Sequence, residues 1–264
     1  MMSLCWIAVS FFVRQLGAGI LLAVLLTMAM RVAHAADFAV SPMVVEFGRG
    51  IRSAEITVRN LDQQPIRFQV RGADWRQDAS GKNVYVDSKT LIWFPRALEL
   101  APGEARIIRV GVRATPAAQE QAYTLFLKEV AVAGPDSGRQ TGAEVKLVLS
   151  VSVPIFVPPV KAVPGGAIES IELHAGRLEF VVANGGNQHL GYREAAIVGR
   201  GPDGSEQFSQ KLPGRMLLAG ARQRYQVQIP QAACAQLKEL AVTLTIPEKN
   251  EIKRGLDVSR ADCQ

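Results

Sequence analysis

The chain contains 264 residues with a formal net charge of +6, and 48% of its residues are hydrophobic while only 6% are aromatic. The positive charge is spread along the chain without a block of basic residues, so nucleic-acid binding is not indicated. This length allows two domains of ordinary size and exceeds that of a typical single β-sandwich.

The N-terminal 35 residues have the features of an export signal. Arg14 gives a positive flank, residues 16–30 are apolar and uncharged, and Ala33-His34-Ala35 matches the small-x-small cleavage pattern. The alternative is an uncleaved membrane anchor, but a spanning helix needs about 20 apolar residues. We therefore predict a signal peptide over residues 1–35 and an exported, soluble chain that begins at Ala36.

Short alternating segments separated by turns follow the export signal and predict an all-β fold. The predicted strands of the first half lie at 38–45, 54–58, 66–70, 84–86, 91–94, 98–100, 108–112 and 123–130. Turn-forming residues separate these segments, and no parallel βαβ rhythm is present. The first half is therefore predicted to form an immunoglobulin-like β-sandwich.

The longest regular alternation lies at 145–153, where every odd position is apolar. Because successive side chains of a strand point to opposite faces, one face of this strand forms an apolar ridge. The ridge residues are Val145, Leu147, Leu149, Val151 and Val153. Pro154 is predicted to end the strand. Alternation alone favours a core strand, although only Lys146 would protect this strand if its edge were exposed.

Pro158-Pro159 and Pro164-Gly165-Gly166 predict a connector between two domains, at 36–158 and 159–264. The second half repeats the β rhythm and is predicted to be a smaller β-sandwich with one short helix at 231–237. Its predicted strands lie at 168–173, 177–183, 195–199, 222–229 and 240–246.

Cys234 and Cys263 are the two cysteines that remain after removal of the predicted signal peptide. In an oxidising compartment such an isolated pair favours a disulfide over two free thiols, and closing the loop contributes about 3 kcal/mol. No C-x-x-C or neighbouring histidine indicates a metal site, and no motif indicates a cofactor.

Catalytic patterns are scarce, since His174 and His189 are the only histidines after residue 35. No H-E-x-x-H, G-x-S-x-G or P-loop motif occurs. Residues 199–204 match G-x-G-x-x-G, but strand-like sequence follows where a dinucleotide fold needs a helix, so a turn is predicted. A β-sandwich hydrolase that uses these histidines is the weaker alternative, and we expect no enzymatic activity.

Several segments of the first domain form an ordered set, at 39–42, 56–60, 65–70, 75, 101–103, 108–110, 123–129 and 153–159. Weaker matches follow in the second domain at 182–187 and 217–220. No single segment is specific, but the ordered set resembles the periplasmic chaperones of chaperone–usher pilus assembly.

The resemblance implies two immunoglobulin-like domains in a boomerang arrangement. It also implies that the ridge strand is donated to a pilin or fimbrial subunit whose own fold lacks a strand, through Val145, Leu147, Leu149, Val151 and Val153. The implied partners are such subunits and an outer-membrane usher, in the periplasm, with no cofactor and no membrane span after signal cleavage. The alternative is a periplasmic two-domain binding or adhesion module that buries the ridge itself.

The resemblance further implies that two basic residues hold the subunit's C-terminal carboxylate in the interdomain cleft. Met43-Val44-Val45 and Pro154 occupy the corresponding positions and offer no charge. Because the strand before residue 123 should end at the hinge, Arg113 is the first candidate anchor and Lys161 the second. Lys128 lies about 16 Å further along its strand and is disfavoured.

Overall fold

The computed structural model describes residues 37–48, 50–51, 53–113, 115, 117–130, 148–247 and 250–264. The predicted signal peptide, the ridge residues Val145 and Leu147, and Lys146 between them lie outside the described residues. Residues 37–264 form one compact unit.

The first half of this unit is built from short strands that match the alternating segments of the sequence. In chain order they are β1 (Phe38–Ser41), β2 (Val45–Glu46), β3 (Ser53–Asn60), β4 (Ile66–Gln77), β5 (Asn83–Asp87), β6 (Leu91–Phe94), β7 (Ala97–Leu100), β8 (Ala105–Val112), β9 (Gln121–Glu129) and β10 (Ser150–Val157). One sheet has the order β1-β3-β8-β6, and the other has the order β2-β10-β9-β4-β5 with β7 also paired to β4.

The two sheets bury the apolar positions of their strands between them. Ile56, Phe68, Ile108, Leu125 and Ile155 are fully buried at 0% exposure, one each from β3, β4, β8, β9 and β10. Burying such side chains contributes about 1.5–3 kcal/mol each. The alternation of the sequence therefore translates directly into the core of a sandwich.

The second half forms another pair of packed sheets. Its strands are β11 (Gly166–His174), β12 (Arg177–Asn184), β13 (Leu190–Arg200), β14 (Glu206–Leu217), β15 (Arg222–Gln228), β16 (Glu239–Thr245) and β17 (Glu251–Asp257). The sheet orders are β11-β12-β15 and β14-β13-β16-β17. Together the two halves confirm the prediction of an all-β protein with two immunoglobulin-like sandwiches.

A short helix and a 3₁₀ turn close the second sandwich. The helix α1 (Gln231–Cys234) and the 3₁₀ turn (Arg260–Cys263) meet at a disulfide between Cys234 and Cys263, whose Cα atoms are 5.7 Å apart. In the part of the chain that the structure describes, no helix has the length and apolar character needed to cross a membrane.

Each of the two sandwiches has a buried asparagine at the end of an inner strand. Asn60 closes β3, and its side-chain amide donates to the carbonyls of Gln64 (2.8 Å) and Leu100 (3.1 Å). Asn184 closes β12 and donates to the carbonyls of Gln188 (2.7 Å) and Leu217 (3.0 Å). Each amide therefore ties a turn to a neighbouring strand without leaving a buried polar group unpaired.

The ridge strand differs from its prediction because it continues through Pro154 and ends at Val157. The predicted strand at 38–45 is in fact two strands, since β1 and β2 belong to different sheets. The edge strand β17 was not predicted, and only the first part of β14, at residues 205–209, was predicted as strand, because few residues of either strand are fully buried. The boundary predicted at residues 158 and 159 falls between β10 and β11 and stays a prediction.

A small aromatic cluster joins the two sandwiches at the hinge end of β10. Trp75, Phe156 and Leu218 are buried together, and Leu218 comes from the second sandwich. Beside them, the Gln77 side chain donates to the carbonyl of Met216 (2.9 Å) and accepts from the N–H of Leu218 (2.8 Å). Apolar packing and paired hydrogen bonds therefore fix the hinge end of the ridge strand.

Candidate functional site: an open strand edge

Strand β10 has one edge that is fully paired and one edge that is mostly open. All of its residues, from Ser150 to Val157, pair antiparallel with β9. On the other edge, β2 pairs in parallel only with Ile155 and Phe156. Among the described residues, the rest of this edge has no neighbouring strand.

The hydrogen bonds at each end of β10 show which residues face the open edge. The N–H of Glu129 in β9 donates to the carbonyl of Leu149 (2.9 Å), so odd-numbered residues bond to β9. The N–H of Phe47 donates to the carbonyl of Phe156 (2.9 Å), so even-numbered residues face the opposite side. Ser150 and Ser152 therefore direct their N–H and carbonyl groups to the open edge.

Pro154 also faces the open edge, which explains why the strand continues through it. A proline lacks the N–H that a central ladder needs, so it is tolerated where that N–H would point away from the neighbouring strand. Pro154 still offers its carbonyl to the open side. The edge available to another chain thus ends between Pro154 and the residues paired with β2.

The apolar ridge on β10 is buried to different degrees along its length. Val153 and Ile155 are fully buried at 0% exposure in the first sandwich. Leu149 and Val151 are only half-buried. The predicted ridge therefore becomes progressively less covered by its own domain toward the N-terminal end of the strand.

Strand β14 is another long edge strand, and it carries residues that protect an exposed edge against unwanted pairing. β14 has 12 residues and pairs only with β13, which leaves its second edge open within the described structure. It carries Lys211 and Pro213 near its middle, two of the features that natural edges use against unwanted pairing. The edge residues of β10 from 150 to 153 are only serine and valine. The β10 edge is thus the less protected of the two.

The hinge end of β10 opens into a cleft of about 850 Å³ between the two sandwiches. The ring of His189 stacks on Phe156 with centroids 3.9 Å apart, and its Nδ1 lies 2.9 Å from Glu120 Oε2. The N–H of His189 also donates to Glu120 Oε2 (2.7 Å), and Glu46 Oε1 lies 3.8 Å from Nε2. Among the described residues, no lysine or arginine lines this cleft.

Arg113 and Lys161, the predicted anchors, lie near the hinge but do not line this cleft. Arg113 follows the last residue of β8, is exposed, and donates its N–H to the carbonyl of Thr90 (2.9 Å). Lys161 is exposed, and its carbonyl accepts a hydrogen bond from the Asn187 side chain (2.8 Å). Their role as carboxylate anchors stays a prediction.

Arg113 is a candidate because β9 is expected to begin at the hinge, and the pairing of β9 with β10 agrees with that direction. Gln121 at the start of β9 pairs with Val157 at the hinge, whereas Lys128 pairs with Ser150 at the far end. His189 was considered from the sequence as a catalytic candidate, but its pairing with Glu120 was missed, because the two residues are 69 positions apart and share no motif. Only the fold brings them together.

The hinge end of β9 also carries a buried tyrosine with a satisfied hydroxyl. Tyr123 pairs with Ile155, and its hydroxyl donates to Gln121 Oε1 (3.0 Å) and accepts from Thr90 Oγ1 (3.2 Å). Burial raises the pKa of Tyr123 above its usual value, so the phenol stays neutral at ordinary pH. This network holds the loop between β5 and β6 against the sheet that carries β10.

The residues considered for catalysis or metal binding do not assemble into one site. His174 is exposed, with its Nε2 3.8 Å from Glu172, while His189 lies in the hinge cleft. Within the described ranges, no group of three or more histidine, cysteine, aspartate or glutamate side chains is placed to hold a metal ion.

The described part of the chain thus has two immunoglobulin-like sandwiches, and β10 in the first of them has one edge that is mostly unpaired. Residues 37–162 match the family model described as pili and flagellar-assembly chaperone, PapD N-terminal domain. Residues 37–162, just under half of the chain, therefore form an N-terminal domain of the pilus-assembly chaperone family. No curated protein matches the chain in sequence.

Solved structures of pilus chaperones share the fold of the chain. The YadV chaperone is 11% identical, with a TM-score of 0.54, and covers 84% of this chain and 100% of its own. The CupB2 chaperone of Pseudomonas aeruginosa is 12% identical, with a TM-score of 0.51 and the same two coverages. The chain also matches a CsuC–CsuE chaperone–tip adhesion subunit pre-assembly complex of Acinetobacter baumannii at 15% identity and TM-score 0.50, covering 73% of this chain and 91% of that one.

Proposed function

We propose that this protein is a periplasmic chaperone that binds a pilus subunit by pairing the open edge of β10 with a strand of that subunit. The observation that carries the proposal is that Ser150 and Ser152 direct backbone groups to an edge with no neighbouring strand among the described residues, while Leu149 and Val151 are half-buried. Backbone hydrogen bonds give affinity in such strand addition, and alternate side chains give specificity.

The degree of burial defines which ridge residues are available to the subunit. Leu149 and Val151 gain further burial in a complex, and Val145 and Leu147 extend the same alternation outside the described residues. Val153 is already at 0% exposure, so we assign it to the core that holds β10 in place. Complete burial of each aliphatic side chain contributes about 1.5–3 kcal/mol, and the ordering cost of association offsets a large part.

Release of the subunit to an outer-membrane usher is the second part of the proposal. Support comes from family membership and from the likeness to CsuC–CsuE, a pre-assembly complex from archaic chaperone-usher pili. The chemistry is exchange of one β-strand for another, so the proposed mechanism needs no catalytic group. The sequence pattern at 1–35 supports export to the periplasm.

The direct test is co-expression of the chain with a pilus subunit in the periplasm, followed by purification of the complex. We expect a one-to-one complex that survives size-exclusion chromatography and is lost when Leu149 and Val151 are both replaced by aspartate. If the protein is instead a two-domain adhesion module that buries the ridge in its own core, the double variant should fail to fold. A folded double variant that still captures the subunit would contradict strand pairing at β10.

A further inference from the structure

The outer face of the sheet beside the open edge carries an excess of positive charge at one end. In successive rows across β4, β9 and β10, Gln69, Lys128 and Ser150 are followed by Arg71, Phe126 and Ser152. These even-numbered positions of β9 and β10 face away from the sandwich core. Lys128 therefore lies directly beside Ser150, and Arg71 lies one strand further away, with Phe126 between it and Ser152.

This basic face lines a cleft of about 690 Å³. Arg71, Arg96 and Lys128 supply three positive charges, and Asp87 supplies the one negative charge of the lining. The guanidinium of Arg71 lies 5.4 Å from the centre of the Phe126 ring, and that of Arg96 lies 4.5 Å from the Trp93 ring. Contacts with aromatic rings hold both guanidinium groups in position. Arg71 Nε also lies 3.4 Å from Asp87 Oδ1, whereas Arg96 and Lys128 are exposed and supply the excess positive charge.

The clefts at the two ends of β10 differ in the charges of their linings. The cleft at the Phe156 end is lined by Glu46, Glu120 and His189 and by no described lysine or arginine. The cleft at the Ser150 end has the cationic excess. A strand that pairs with β10 therefore meets a cationic excess at the Ser150 end, Arg215 near Ser152 and Pro154, and two carboxylates in the cleft at the Phe156 end.

We infer that the basic face of Arg71, Arg96 and Lys128 recognises acidic side chains of the same subunit that pairs with β10. The face is continuous with the edge, because Ser150 both lines the basic cleft and directs its backbone to the open side. A strand added to β10 lies two strand spacings, about 10 Å, from β9, within reach of an extended lysine and an acidic partner. This inference rests on the proposed function.

The expected contribution is mainly to the rate of capture and to the choice of subunit. Complementary charge at the rim of an interface raises association rates, and salt weakens the effect. The subunit should therefore be acidic where it approaches Lys128. Its segment near Glu46 and Glu120 should lack acidic side chains.

The test uses the subunit that co-purifies with the wild-type chain, identified by mass and then produced separately with an affinity tag. Lys128→Glu removes one cation of the face, and Arg59→Glu is its matched control on an exposed position of β3 in the other sheet. We expect Lys128→Glu to slow association about tenfold at low salt, with the difference fading at high salt, while Arg59→Glu matches the wild type.

Three other outcomes would overturn the inference. The first outcome is that the two variants associate at equal rates at low salt, while the wild type captures the subunit and Val151→Asp does not. This outcome would reject a role for the basic face and would leave strand pairing at β10 supported. Binding of phosphatidylglycerol vesicles that Lys128→Glu abolishes, with unchanged subunit association, would assign the face to a membrane surface. A wild type that captures no subunit would remove the proposed function and this inference together.

Discussion

A charged side chain at position 151 distinguishes two hypotheses. In one the apolar ridge packs within this chain, and in the other it packs against a bound subunit. In the free protein Val151 is half-buried, so its replacement by aspartate forfeits only part of the roughly 1.5–3 kcal/mol that full burial of such a side chain contributes. We expect the free Val151→Asp protein to lose about 1 kcal/mol of unfolding free energy and to stay folded.

In the complex the same residue would be enclosed by the subunit. Burial of an unpaired carboxylate there costs several kcal/mol, and about 4 kcal/mol corresponds to roughly a thousandfold weaker Kd. Capture of the subunit should therefore be lost although the free variant is folded. The expected signature is a large effect on binding with a small effect on folding.

Val153→Asp is the opposite case, because Val153 is at 0% exposure in the free protein. A buried charge there should cost a large fraction of the roughly 5–15 kcal/mol that typically holds a domain together. Thr57→Asp is a matched control, since Thr57 is also half-buried in a strand but belongs to the other sheet.

The assays are urea unfolding followed by circular dichroism and retention of a tagged subunit on a column. Val151→Asp and Thr57→Asp should unfold at similar urea concentrations, and only Val151→Asp should fail to retain the subunit. The reasoning is refuted if Val151→Asp is as unstable as Val153→Asp, or if it retains the subunit as the wild type does.

Three further predictions concern the second sandwich. Reduction of the Cys234–Cys263 disulfide, which closes a separation of 29 residues, should lower its unfolding free energy by about 3–4 kcal/mol without loss of the first sandwich, measured by urea unfolding with and without reductant. Burial raises the pKa of Tyr192 above its ordinary 10.0, so the stability that the neutral phenol contributes below about pH 10 is lost at higher pH. Tyr192→Phe should reduce this alkaline loss of stability, measured by urea unfolding at several pH values. An alkaline stability profile that the substitution leaves unchanged would contradict this prediction. Asn184→Ala leaves two carbonyls without their donor and should cost about 1–3 kcal/mol, whereas a neutral result would mean that water replaces the amide.

Most of the architecture could be predicted because apolar alternation reports directly which face of a strand is buried. The inner strands β3, β8, β9, β12 and β16 carry that signal. β14 and β17 carry it weakly, since only a few of their side chains, such as Phe208, Leu212 and Ile252, pack against the core. Their existence depends on pairing with β13 and β16, which the local sequence does not encode.

The candidate site could be predicted in part. The alternation at 145–153 identified the ridge. It could not show that Val153 is fully buried in the free protein while Val151 is only half-buried. The prediction that Pro154 ends the strand was wrong, because the effect of a proline depends on which side of the ladder it faces. The pairing of Glu120 with His189 and the charge difference between the two clefts arise only when distant segments meet.

Hydrogen exchange at the amides of β10 tests strand pairing most directly, because the strand contains its own control. The N–H groups of Ser150 and Ser152 face the open edge, while those of Val151 and Val153 are bonded to β9. We predict that the two serine amides exchange rapidly in the free protein and become at least about 100-fold slower in the subunit complex, with the two valine amides protected in both states. Serine amides that keep their free exchange rates in a fully formed complex would contradict the proposal that the subunit pairs with this edge.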